Sequence, residues 1–168
     1  FLVLSLLLAP RRGIVWGVLR ERGVQRHVRW ENLLKDLYHV GEESGAWDRL
    51  VPLPQLMGFR GQKAGIVRGY TRGLEKEGWV ERHREGVRLT DAGYRQARRV
   101  VRKHRLWELY LAKRLELPPD HVHRDAEAME HVLSDETVDQ IDRMLEHPAV
   151  DPHGRPIPPR EESDALSP

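Results

Sequence analysis

Apolar residues recur at helical spacing through most of this chain of 168 residues. Leu33, Leu34, Leu37 and Tyr38 predict a helix over 30–41, which the Gly-Glu-Glu-Ser-Gly run at 41–45 ends. Pro52 and Pro54 open a short helix through Met57, and after a turn at 58–61 a third helix is expected from Gln62 to Lys76, closing at Gly78. The apolar period then falls to two over 79–83 and 86–90, which predicts a two-stranded hairpin. Helix, helix, turn, helix, hairpin is the order of a winged helix-turn-helix. A long helix follows from Thr90 or Asp91, either of which can cap it, to about Glu116, where Pro118 and Pro119 interrupt the chain. Asp120 can cap a helix through Leu133, and Ser134 with Glu136 and Thr137 starts another that lasts to about Glu146. The tail holds Pro148, Pro152, Pro156, Pro158, Pro159 and Pro168, a composition that predicts disorder. The fold expected is mainly α: a winged helix-turn-helix over 30–90, a helical domain over 91–147 and a Pro-rich tail over 148–168.

Residues 1–29 stand apart from this plan. Phe1 to Leu8 are apolar except for Ser5, and Arg11 and Arg12 follow. Eight residues cannot span a bilayer, which needs about 20, but they read as the last turns of a transmembrane helix with its basic cytosolic end. Ile14, Val15, Trp16, Val18 and Leu19, then Arg20, Arg22, Arg26 and Arg29, form a basic amphipathic segment interrupted at Gly17 and Gly23, suited to an anionic membrane surface.

The absence of cysteine excludes disulfides, zinc–thiolate centres and thiol catalysis, and fits a reducing cytosol. The net charge of +2 hides a division. Residues 60–105 carry 14 Lys/Arg against 5 Asp/Glu, and residues 106–168 carry 6 against 15. A basic middle suits a polyanion and an acidic end suits cations.

The acidic part contains an ordered set of donors. Positions three, four, seven and eight apart share one face of a helix, so His123, Glu127, Glu130 and His131 project side by side, and His104 and Glu108 stand one turn apart on the preceding helix. Two such helices packed together can surround a divalent cation with nitrogen and oxygen donors. The same spacing describes a solvated polar face beside the apolar stripe of Val122, Ala126, Met129 and Leu133, so spacing leaves both readings open. The pattern does not match the His-Glu-x-x-His of zinc proteases, and the chain has no nucleophile elbow or phosphate-binding glycine loop, which argues against an enzyme.

Four stretches together resemble the diphtheria toxin repressor and manganese transport regulator family. They are Leu89-Thr90-Asp91-Ala92-Gly93; Arg102-Lys103-His104-Arg105-Leu106-Trp107-Glu108; Val122-His123 through Glu130-His131-Val132-Leu133-Ser134-Asp135-Glu136; and His147-Pro148 with Asp151-Pro152-His153-Gly154-Arg155-Pro156-Ile157-Pro158. The resemblance covers about residues 30–158. It implies a winged helix followed by a helical metal-binding and dimerisation domain, a homodimer through the C-terminal helices, and metal-dependent repression of metal-uptake genes through double-stranded DNA. It places His104, Glu127, Glu130 and His131 on metal-ligand positions, and Glu108 and His123 on an ancillary site. A carboxylate at Glu127 is the manganese-type choice, so Mn2+ is the expected cofactor and Fe2+ the alternative.

The chain departs from this pattern at two places. Manganese-type members supply two carboxylates where Asn32 and Lys35 stand; Asn32 can offer a carbonyl oxygen, but a protonated Lys35 cannot ligate, and a single-metal centre is expected. In the DNA-reading helix, Gly65, Gly69 and Gly73 recur every four residues, and each costs a helix interior about 1 kcal/mol relative to Ala. Either a close backbone approach or a loosened helix accounts for them. Lys63, Arg68 and Arg72 are positioned for phosphates or guanine edges, and Arg82 and Arg84 on the wing for the backbone.

A second, shorter resemblance runs through Ala9-Pro10-Arg11-Arg12-Gly13 and Glu31-Asn32-Leu33-Leu34, which are similar to the cytosolic end of the permease subunit of manganese, zinc and iron ABC importers. It implies membrane attachment or fusion at the N-terminus. Two functions therefore compete: a metal-responsive DNA-binding regulator, and a cytosolic metal-sensing domain at the C-terminus of such a permease.

Overall fold

The chain reaches the winged helix through one continuous helix, α1 (Ile14–Ser44), where a basic segment and a separate helix were expected. Gly17 and Gly23 each weaken a helix by about 1 kcal/mol, but no proline or turn residue joins them, and the Arg, Glu and Leu between them are good helix formers. The structure is a computed structural model and describes residues 14–115 and 133–160, with side chains over 26–113 and 133–160. No helix among the described residues is long and apolar enough to cross a membrane.

After α1 come α2 (Leu53–Arg60) and α3 (Ala64–Lys76). Helix α2 runs past the turn expected at Gly58, because Gly61 is the residue that turns left-handed, at φ 60° and ψ 30°, and its N–H closes on the Met57 carbonyl. The wing follows as β1 (Val80–Arg82) and β2 (Val87–Leu89), antiparallel with Glu81 opposite Arg88. Thr90 caps α4 (Asp91–Leu115): its Oγ1 accepts from the Gly93 N–H at 3.0 Å. The last described helix, α5 (Asp135–Met144), is capped by Ser134, whose hydroxyl accepts from the Thr137 N–H.

Two apolar clusters share α4. Leu33, Leu34 and Leu37 of α1 pack with Leu56, Val67, Leu74, Val80, Val87 and Ala97 in the winged helix. Leu106 packs with Val138, Ile141, Leu145 and Ile157 in the second cluster. Leu34, Leu74 and Leu106 are fully buried, and burying each contributes about 2 kcal/mol.

Ile157 corrects the expectation of a disordered tail. Residues 149–157 form a tight return in which Val150 bridges Pro156, the Asp151 carboxylate accepts from the His153 and Arg155 N–H groups at 2.8 Å, and Ile157 enters the core. Prolines remove donors without preventing a turn that an aspartate organises. Residues 161–168 lie outside the described ones.

The three glycines of α3 differ. A methyl at Gly73 would lie 2.3 Å from the Trp30 ring, whereas one at Gly65 or Gly69 would meet nothing within 4 Å. Gly73 thus admits α1 against α3, and the other two serve no packing inside the described chain. Chemical denaturation should show Gly65→Ala and Gly69→Ala each raising stability by about 1 kcal/mol and Gly73→Ala lowering it by about 1–2 kcal/mol. Equal effects at all three would contradict this division.

Candidate functional site

Helices α1 and α4 bring part of the expected donor set together. His104 and Glu108, four residues apart on α4, are 4% and 2% exposed, and Lys35 of α1 is 2% exposed. His104 Nε2 lies 3.6 Å from Glu108 Oε2, and the Lys35 ammonium lies 3.5 Å from His104 Nδ1. From the tail, His153 Nε2 comes within 3.8 Å of Glu108 Oε1. The Asn32 amide oxygen is buried with no hydrogen-bond partner among the described residues. Buried polar atoms are ordinarily satisfied, so this oxygen fits a site that receives a cation or a donor.

Imidazole nitrogen with carboxylate and amide oxygen suits Mn2+ or Fe2+. Lys35 engages Nδ1 of His104, which leaves Nε2 as the nitrogen that faces Glu108. Among the described residues no three His, Asp or Glu form a metal site by themselves. His123, Glu127, Glu130 and His131 lie outside the described residues. The involvement of His153 was not anticipated, although its stretch was among those that carried the resemblance.

A buried arginine holds this region together. Arg105, 1% exposed, donates to both oxygens of Glu42 on α1 at 2.9 and 2.7 Å, stands 3.6 Å from Asp151, and donates to the Pro156 carbonyl. It thereby ties α1, α4 and the 149–157 return, which carries His153. Burial raises the Glu42 carboxyl pKa, but the hydrogen bonds and charge of Arg105 outweigh burial and leave it lowered. His39 is pushed down to about 4, first by burial and then by the charges of Arg105 and Arg155. It remains a neutral imidazole among cations.

The second surface is the outer face of α3. Val67, Thr71 and Leu74 turn inward, and Lys63, Arg68 and Arg72 stay exposed with no carboxylate in ion-pair range among the described residues. Arg84 is exposed at the wing turn, while Arg82 is held by Glu75 of α3 at 3.1 Å. Arg82 therefore braces the wing against α3, a role its place in the hairpin pattern did not reveal. Helix α1 connects the two surfaces. Its Trp30 packs on Gly73 of α3 and edge-on against Trp79, at 6.3 Å between ring centroids, and Asn32 and Lys35 follow within about a turn and a half.

Comparison with known proteins agrees with this architecture. Residues 90–159 match the family described as iron dependent repressor, metal binding and dimerisation domain. The chain is similar to the iron-dependent repressor IdeR of Mycobacterium tuberculosis, with 32% identity over 133 residues, 76% of this chain and 54% of that protein. A probable metal transport system membrane protein of Chlamydia trachomatis is 46% identical over 87 residues, 52% of this chain and 19% of that protein. The structure of a manganese-dependent transcriptional repressor in complex with manganese superposes with a TM-score of 0.69 at 36% identity, covering 77% of this chain and 58% of that one. The chain thus spans about half, or less, of the length of these curated relatives. Residues 90–159 thus carry the sequence pattern of the iron dependent repressor metal binding and dimerisation domain, and the winged helix followed by a helical domain is similar in fold to the manganese-dependent repressor.

Proposed function

We propose that this chain is a metal-responsive, DNA-binding transcriptional regulator that represses metal-uptake genes as a homodimer formed through its C-terminal helices. The observation that carries this reading is helix α1, which touches the exposed cations' helix through Trp30 against Gly73 and borders the buried His104–Glu108 pair through Lys35. One rigid element then links a metal-binding face to a DNA-binding face. His104, Glu127, Glu130 and His131 hold Mn2+, or Fe2+ in its place, with Glu108, His123, His153 and Asn32 completing or supporting the centre. Lys63, Arg68 and Arg72 face the duplex and Arg84 its backbone.

Fluorescence anisotropy of a labelled promoter duplex at low salt tests the reading. Manganese should tighten binding by at least about fivefold, as expected for a coupling of about 1–3 kcal/mol between sites. Glu130→Ala with His131→Ala should abolish manganese binding in calorimetry and remove that gain. No retention of duplex with either metal sinks the proposal, and unchanged manganese affinity of the double variant returns the stripe to a solvated polar face.

The Chlamydia trachomatis similarity favours a second reading, in which the same domain senses metal at the cytosolic end of a metal transporter. The two separate on one measurement. A domain that serves only the transporter binds manganese without any metal-dependent affinity for duplex DNA.

A further inference from the structure

The cations of the winged helix fall into two groups. Arg60, Arg88 and Arg82 are paired with Asp36, Glu81 and Glu75. Arg26, Arg29, Arg72 and Lys76 have no carboxylate in ion-pair range among the described residues; Arg26, Arg72 and Lys76 line one cleft between α1 and α3 that also includes Glu77, and Arg29 reaches its edge by bonding the Tyr70 hydroxyl. The cleft measures about 680 Å³, and its floor is aromatic: the Arg26 guanidinium lies 5.3 Å above the Trp30 ring, and Arg29 lies 5.8 Å above the Tyr70 ring and donates to its hydroxyl. Stacking on a ring fixes a guanidinium without neutralising it. Both arginines are exposed. These are charges held in position and left available to an anion.

Their placement around α3 identifies the anion. The face of α3 opposite Val67, Thr71 and Leu74 is formed by Gly65, Gly69, Arg72 and Lys76. Glu75 and the wing border that face on one side, and Ile66, Tyr70, Gly73 and α1 border it on the other. A helix with its side chains is about 10–12 Å across and enters a major groove about 12 Å wide, so elements flanking it on both sides meet the phosphate strands that wall the groove. The wing supplies Arg84 on one side. The sequence pattern had assigned Arg26 and Arg29 to a membrane-facing segment; the tertiary structure turns them toward α3.

We infer that Arg26 and Arg29 of α1 form a second phosphate-contacting rail beside the DNA-reading helix. They position the duplex through its backbone and read no sequence. This inference rests on the DNA-binding reading above, and it adds two residues from outside the helix-turn-helix to the interface.

The test uses the full chain and random-sequence 30-base-pair duplexes, with affinity measured against salt concentration. Each phosphate contact contributes about 0.9 to the slope of log K against log salt, so Arg26→Ala with Arg29→Ala should lower the slope by about 2. Affinity should fall by a similar factor on every duplex. Arg26→Lys with Arg29→Lys should keep the slope, because charge rather than ring packing makes the contact, and Arg88→Ala, which removes a paired arginine, should leave it unchanged. An unchanged slope in the double alanine variant overturns the inference, as does equal loss in the alanine and lysine variants. Loss of binding to phosphatidylserine vesicles with duplex affinity retained overturns it in favour of a membrane face. If the unmodified chain binds no duplex, the DNA-binding reading itself fails; if Arg68→Ala with Arg72→Ala lowers the slope and the α1 pair does not, only the rail fails.

Discussion

Replacing Arg105 with Met should destabilise the protein by about 3 kcal/mol, the largest single-residue effect expected in the described structure. The guanidinium is 1% exposed and serves three elements at once: both oxygens of Glu42 on α1, Asp151, and the Pro156 carbonyl of the 149–157 return. Met fills much of the space but answers none of these acceptors. The Glu42 side chain is 27% exposed and can recover water, whereas the Asp151 side chain is 2% exposed and would be left as a buried carboxylate with only its two backbone donors. Uncompensated charge in a buried site accounts for most of the loss. Urea denaturation at neutral pH measures it as a lower midpoint with little change in slope. Limited proteolysis should cut the variant within 149–157 before it cuts the winged helix, because the return loses its anchor to α4. A change under about 1 kcal/mol, with the return still protected, would show that Arg105 is incidental.

Stability should also fall by about 3 kcal/mol between pH 6.5 and pH 4, and His39 is the source. Its folded pKa is about 4 against an ordinary value of 6.5, because burial and the nearby charges of Arg105 and Arg155 oppose a second cation there. Below pH 6.5 the unfolded chain binds a proton at this residue and the folded chain does not, so acid favours unfolding until the folded imidazole also titrates near pH 4. Glu42 adds to the loss in a lower window. Its folded pKa is lowered, so its contribution is present above the ordinary carboxylate pKa and is lost as pH falls through the folded value. His39→Leu separates the two: denaturation midpoints measured from pH 7 to pH 4 should flatten in the upper part of that range. A variant that keeps the full slope there would assign the pH dependence to other groups.

The winged helix was legible because its signals are local. Pro52 and Pro54 in a first turn, the period-two stretch around Gly86 and the capping Thr90 specify their elements through neighbouring residues alone. The tail misled for the same reason in reverse. Proline content speaks to the lack of regular hydrogen bonding, and it is silent about Asp151 gathering two backbone donors or Ile157 reaching the core. The donor pair His104 and Glu108 could be read from helical spacing, whereas His153 could not, because it reaches Glu108 across 45 residues through a turn anchored by Arg105.

What the sequence by itself determined is therefore the order and type of the described helices and the hairpin from residue 30 onward, the division of charge, and the residue types able to bind a divalent cation, since each depends on periodicity or chemistry within a few residues. Only the tertiary structure decided which cations remain exposed without a carboxylate partner and which, like Arg82, are neutralised from another element. It also decided that Gly73 makes room for Trp30 while Gly65 and Gly69 face outward, and that Lys35 sits against His104. Those outcomes depend on how α1 packs across α3 and α4. Pairing and desolvation are set by atoms brought together from distant parts of the chain, and no local pattern records them.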